Sequence, residues 1–182
     1  MQLTKRQWVM FSFFIVNFAY ILLSAALTSD FNVIFANLSI LIFLAALYLE
    51  RGYASRYYVL LASVFLIVDY MIGMAFGGRI LYFFDFLVSN LIELSLYVAV
   101  GFFGYAYYHQ QFKRNKYWIT IILLSIPSLI YTLINASTML SLFIQILPPL
   151  TLIQIILSII YNLTLPAVMI IYTLIRKKEI IY

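Results

Sequence analysis

The sequence predicts an all-α integral membrane protein, a single domain over residues 1–182 with six transmembrane helices and both termini cytoplasmic. Three observations predict it. Hydrophobic residues make up 66% of the chain and charged ones only 9%, about a third of the charge a water-facing surface carries, and mean hydropathy is +1.06. The apolar runs are long and continuous, without the two-residue alternation of a barrel strand. Lipid offers no partner to backbone amides, so such runs must satisfy them internally, as helices do.

Each element follows from an apolar run of about 20 residues and the polar break that ends it. The first runs from Trp8 to Leu27 and stops at Thr28-Ser29-Asp30. The second, Val33 to Leu49, is short but unbroken, and Glu50-Arg51-Gly52 through Arg56 is a charged turn. The third, Tyr57 to about Phe76, contains Asp69 and ends at Gly77-Gly78-Arg79. The fourth, Ile80 to Tyr108, would exceed about 40 Å as a helix, so it tilts or projects from the ~30 Å hydrocarbon layer. The fifth runs from Trp118 to Ile134 and the sixth from about Leu150 to Ile175. Between them, residues 137–147 are apolar, too short to span and closed by Pro148-Pro149. They read either as a short interfacial or re-entrant helix or as an extension of helix five or six.

Charge sets the orientation. Lys5, Arg6, Arg51, Arg56, Lys113, Arg114, Lys116, Arg176, Lys177 and Lys178 all fall on one side of this arrangement, and only Arg79 falls on the other. Positive residues mark the cytoplasm, and an odd number of spans would scramble the pattern. The basic start and apolar first run resemble a signal peptide, with Ala25-Ala26-Leu27 as a mimic of a cleavage site. The run is longer than a 7–15-residue signal core, and its removal would break the alternation, so retention is expected. The net charge of +5 reads as topogenic, not as a nucleic-acid footprint.

Chemistry is sparse. The chain has no cysteine and one histidine, His109, which leaves no thiolate chemistry and no multi-histidine metal site. No cofactor, catalytic set or phosphate-cradling glycine loop is expected. Three acids, Asp69, Asp85 and Glu93, fall within spans, and Asp85, Ser89 and Glu93 recur every four residues as one polar stripe on the fourth helix. Such acids either serve a proton or cation path or hold helices together by hydrogen bonds. The second reading is preferred, because no transmembrane Lys or Arg pairs with them. Many of the 16 tyrosines lie near span ends, as an interfacial aromatic belt requires.

The most specific pattern is Asp69-Tyr-Met-Ile-Gly73-Met-Ala-Phe-Gly77-Gly78-Arg79, which places the acid and two glycines on one helical face. It resembles the D-x-x-x-G-x-x-x-G segment of the MreD family of rod-shape-determining membrane proteins. That family commonly carries a further glycine four residues before the acid, where this chain has Phe65. Asn162, Pro166 and the tail Arg176-Lys177-Lys178 resemble the family's last helix. The resemblance implies no enzyme. It implies a scaffold of the bacterial cytoplasmic membrane that binds the bitopic protein MreC and couples it to MreB, RodA and a class B penicillin-binding protein in cell-wall elongation. Asp69, Gly73, Gly77, Arg79, Asn162 and Pro166 would then serve helix packing or partner contact. A rival from another class is the substrate-binding subunit of an energy-coupling-factor vitamin importer, using Asp85, Asn90 and Glu93. The first helix lacks that group's A-x-x-x-A pattern, since Ala19, Ala25 and Ala26 are otherwise spaced. A small proton-coupled carrier is a third reading.

Overall fold

The computed structural model describes residues 4–29, 34, 37–50, 54–76, 83–143 and 148–181. Among them it contains six helices of four or more residues and no strand: α1 (Lys5–Thr28), α2 (Leu38–Tyr48), α3 (Ala54–Phe76), α4 (Phe83–Tyr108), α5 (Asn115–Phe143) and α6 (Pro149–Ile181). A 3₁₀ turn, Gln111–Lys113, links α4 to α5. Five of the helices are long and apolar enough to cross a membrane, and α2 is shorter. The chain is a multi-pass helical membrane protein.

Local chemistry accounts for the boundaries. α1 begins at Lys5, ahead of Trp8, because Thr4 caps it. The Thr4 hydroxyl oxygen accepts from the Gln7 amide N–H at 3.3 Å, and Gln7 Oε1 accepts from the Thr4 N–H at 3.0 Å. This reciprocal pair satisfies two amides that a helix start otherwise strands. Ser29 ends the helix in the left-handed region at φ 53°. α5 does not stop at Ile134. It continues through Ser137 to Phe143, so this part of the 137–147 segment is an extension of the fifth helix, not a separate interfacial one; residues 144–147 lie outside the described residues. Ser137 and Thr138 explain how polar residues fit there, since each donates its hydroxyl to the Ile134 carbonyl at 2.8 and 3.0 Å. Pro127 and Pro166 sit inside α5 and α6 without ending them, as neighbouring helices and hydroxyls allow in lipid.

The helices form a closed ring. Each packs against the next in chain order, and α6 returns to pack against α1, while α4 also touches α6 across the interior. The centre is filled by side chains. Phe103 is fully buried and meets Phe43, Phe112 and Tyr172 edge-to-face at 6.0, 5.6 and 5.4 Å between ring centres, a geometry suited to the quadrupole of aromatic rings. Phe112 comes from the short turn between α4 and α5, so that connection is pinned into the core and does not merely cross the surface. Ile15, Phe18, Leu61, Phe65, Leu91, Leu123 and Ile134 face outward, which suits contact with acyl chains and not with water.

α3 and α4 approach closely at two glycines. A Cβ added at Gly104 would stand 2.8 Å from both Cβ and Oγ of Ser63, and one at Gly101 3.4 Å from Ile67 Cδ1. Small residues let the two backbones approach, and Ser63 folds its hydroxyl back onto the Val59 carbonyl at 2.8 Å.

Candidate functional site

Two polar layers interrupt the apolar interior. The first surrounds Asp69, which α3 holds half-buried. Its Oδ2 accepts a 2.5 Å hydrogen bond from the Ser39 hydroxyl of α2. Next to it, Tyr97 of α4 stacks on Tyr70 of α3 with ring centres 3.9 Å apart and lies within electrostatic reach of Asp69, Glu93 and Tyr161. Tyr161 of α6 donates its hydroxyl to Asn37 Oδ1 and packs against Tyr20 of α1. Side chains from α1, α2, α3, α4 and α6, with Asn37 just before α2, thus meet around one acid. Glu93 and Ser89 lie half-buried on α4, and both make polar or electrostatic contacts. The side chain of Asp85 lies outside the described residues. Asp69 is therefore bonded to a neutral hydroxyl, the arrangement expected of an acid that holds helices together.

The Asp69 pattern divides at this point. Gly73 is exposed, and a Cβ added there would meet nothing within 4 Å. Among the described residues nothing packs against it, and the close approach that α3 makes to α4 is at Gly104. Gly77 and Arg79 lie outside the described residues. On α6, Asn162 is exposed and donates its amide to the Ser158 carbonyl at 2.9 Å, while Pro166 is buried. Their spacing has a physical meaning: proline lacks the N–H that would bond the carbonyl four residues earlier, that of Asn162.

Between them sits Thr164, which the sequence did not single out. It is fully buried, and its Oγ1 accepts from Asn17 Nδ2 of α1 at 2.8 Å. Asn17 is itself fully buried and also donates to its own Phe13 carbonyl at 2.7 Å. This pair closes the ring between the first and last helices.

The second layer lies at one end of the bundle, and its centre, Glu50, reads in sequence only as a turn charge. Its carboxylate pairs with Arg6 at 3.0 Å and Arg176 at 3.4 Å, and accepts from the buried Tyr172 hydroxyl at 2.5 Å. The Arg6 guanidinium lies 5.5 Å from the Tyr172 ring centre and that of Arg176 5.9 Å from the Tyr107 ring centre. Gln7 Nε2 adds a bond to the Tyr48 carbonyl at 3.4 Å. A cavity of about 430 Å³ opens here, lined by Arg6, Glu50, Ser55, Arg56, Tyr107, Gln110 and Arg176. With its amide oxygen turned toward Arg56, Gln110 accepts from that guanidinium. Four stretches distant in sequence therefore share one end of the bundle: the start of α1, the α2–α3 junction, the end of α4 and the end of α6. The charge pattern expects the basic stretches on one side, but it gave no sign of Glu50 at their centre, because each arginine also fits the simpler role of a topogenic charge.

Among the described residues, no three His, Cys, Asp or Glu side chains group as a metal site. No family model, curated protein or solved structure matches the chain.

Proposed function

We propose that this protein is a non-catalytic scaffold of the bacterial cytoplasmic membrane, similar in role to MreD, that seats the transmembrane helix of an MreC-like bitopic protein. The observation that carries this reading is Gly73. It stands open on an apolar outer stripe of α3, beside the exposed Phe65, Val68, Met71 and Ile72. A bare glycine on a lipid-facing stripe permits close approach by a second helix. The polar layers, by contrast, are engaged in bonds between helices of this chain, which favours a packed support over a conduit. MreB, RodA and a class B penicillin-binding protein would join through that partner.

In this reading the chain crosses the membrane six times, with both ends cytoplasmic. The gathering of Arg6, Glu50, Arg56, Gln110 and Arg176 around one cavity agrees with the ten-to-one charge asymmetry. The 11 residues of α2 rise only about 16 Å, and residues 33, 35 and 36 of the expected second crossing lie outside the described residues. Cysteines at Ser29 and Ser137 should react with an impermeant reagent in intact cells, and one at Asn115 should not; labelling at Asn115 overturns the topology.

Mild-detergent purification tests the function. A bitopic partner with a large extracytoplasmic domain should co-purify with the wild type and be lost from Gly73→Leu, whose own thermal stability should stay unchanged. Recovery of a paired ATPase module with bound vitamin would establish the importer reading instead. An Asp69→Asn protein that folds normally yet loses all function would favour the proton-coupled carrier.

A further inference from the structure

We propose that the halves of α5 and α6 farthest from the Glu50 layer form a flap hinged on two prolines. Pro127 lies inside α5 and Pro166 inside α6. Lys177 Nζ of α6 stands 3.5 Å from the ring centre of Trp118 of α5, which sets the two helices level at that point. Counted from there at ~1.5 Å per residue, Pro127 lies about 14 Å and Pro166 about 16 Å along the bundle. Two neighbouring helices therefore lose a backbone hydrogen bond at nearly the same depth, since the carbonyls of Leu123 and Asn162 each face a residue without an N–H. Sharp helix bends occur at such positions, and a shared depth lets both helices bend in one movement.

Packing changes at that depth. On α6, seven of the ten residues from Thr164 to Thr173 are buried, and none of those from Thr151 to Leu163. On α5, Ile121, Ser125 and Ser128 are buried, whereas Ala136 alone is buried from residue 129 to residue 141. Asn162 shows the change on a single helical face. Met169 and Thr173, seven and eleven residues further on, share that face and are fully buried, yet Asn162 is exposed. Few buried side chains give a segment freedom to move. The near halves are tied down: Ser95 of α4 donates to the Leu124 carbonyl at 3.0 Å, Glu50 holds Arg176 and Tyr172, and Asn17 holds Thr164 beside the hinge. A latch reaches the flap itself. Tyr161, five residues before Pro166, donates its hydroxyl to Asn37 Oδ1 and packs on Tyr20 with ring centres 4.9 Å apart. These Tyr161 contacts define the closed state, and opening breaks them. A bend of about 20° carries Met139, about 18 Å beyond Pro127, sideways by about 6 Å.

The chain has no cysteine, so spin labels can be placed in pairs on the full protein. In nanodiscs, double electron–electron resonance compares Leu61→Cys with Met139→Cys against Leu61→Cys with Leu123→Cys. All three positions are exposed; Leu123 precedes the hinge on α5 and Met139 follows it. The Met139 pair should give a distance distribution broader than the Leu123 pair by about 6 Å, the swing of the bend. Pro127→Ala together with Pro166→Ala should narrow it to the width of the Leu123 pair. Tyr161→Phe, which removes only the latch hydroxyl, should shift it toward the displaced distance. A Met139 distribution as narrow as that of Leu123, in the wild type and in Tyr161→Phe alike, would overturn the flap. Breadth that survives both alanines would overturn the proline hinge, because the bending would then arise elsewhere. Gly73 lies on α3 and takes no part in either distance, so the flap and the scaffold reading stand or fall separately.

Discussion

The two polar layers solve the same problem with different chemistry. At the end of the bundle, Glu50 ties three elements together through full charges, two guanidinium groups and one buried hydroxyl. Deeper in, the ties are mostly neutral: a hydroxyl to the acid of Asp69, a phenol to the Asn37 amide, an amide to the hydroxyl of Thr164. Ionic groups are expensive at membrane depth, whereas near the ends of helices water and headgroups can share the cost. Charge is thus concentrated where it can be solvated, and hydrogen bonds of modest strength set which helix faces which in the interior. Strength and register come from different places.

Substitutions can break or sharpen this contrast. The largest effect is expected at Glu50. Glu50→Ala strands Arg6, Arg176 and the Tyr172 hydroxyl together, and should cost about 3 kcal/mol, the low end for a buried ion pair because the cavity admits water. A large fall in thermal stability in detergent would register it. A loss no larger than that of an interior hydrogen bond would erase the distinction between the layers. Next comes Gly104→Ala, where the new Cβ meets Ser63 at 2.8 Å. Overpacking should cost about 2 kcal/mol, while Gly73→Ala on the open face of α3 should stay within about 0.5 kcal/mol of wild type. Equal losses at the two glycines would show that α3 packs differently from the arrangement described. Smaller still is Asn17→Leu, which keeps the volume and loses the bond to Thr164. In-membrane polar contacts average about 0.6 kcal/mol, so helix α6 should protect less well against proteolysis with little change in melting temperature. Asp69→Asn should be smallest, since an amide oxygen still accepts from Ser39.

How much of this was legible follows from where each signal resides. Every long helix was visible as an apolar run, because lipid selects on the composition of a contiguous stretch. Its ends were less visible. The Thr4–Gln7 cap and the hydroxyl bonds that carry α5 past Ile134 depend on local geometry that composition averages away. The interior placement of Asp69 and Glu93 could be inferred, since an acid in a span has few other places to go. Partners could not. Glu50 lies 122 positions from Tyr172, and nothing in the short run Leu49-Glu50-Arg51 distinguishes a buried anchor from a solvated turn. The glycines teach the same lesson: the Asp69–Gly73 spacing suggested a packing groove, yet what decides a close approach is the residue opposite, and Ser63 stands opposite Gly104. Phe112, set among basic residues in a connecting turn, carries no sequence sign of the core position it occupies.

The closed ring has a consequence for how the molecule is made. Ribosomes deliver helices in order, and both ends of the closure are separated by nearly the whole chain: Asn17 waits for Thr164, 147 positions later, and Glu50 waits for Tyr172, 122 later. Through most of synthesis the early helices hold only part of their network, with Glu50 paired to Arg6 and Asn17 bonded to the Phe13 carbonyl while the partners on α6 do not yet exist. α6 is the keystone, and its arrival satisfies both layers at once. The five preceding helices can insert and pair with their neighbours in sequence, but the seam between first and last forms only after the final segment enters the bilayer.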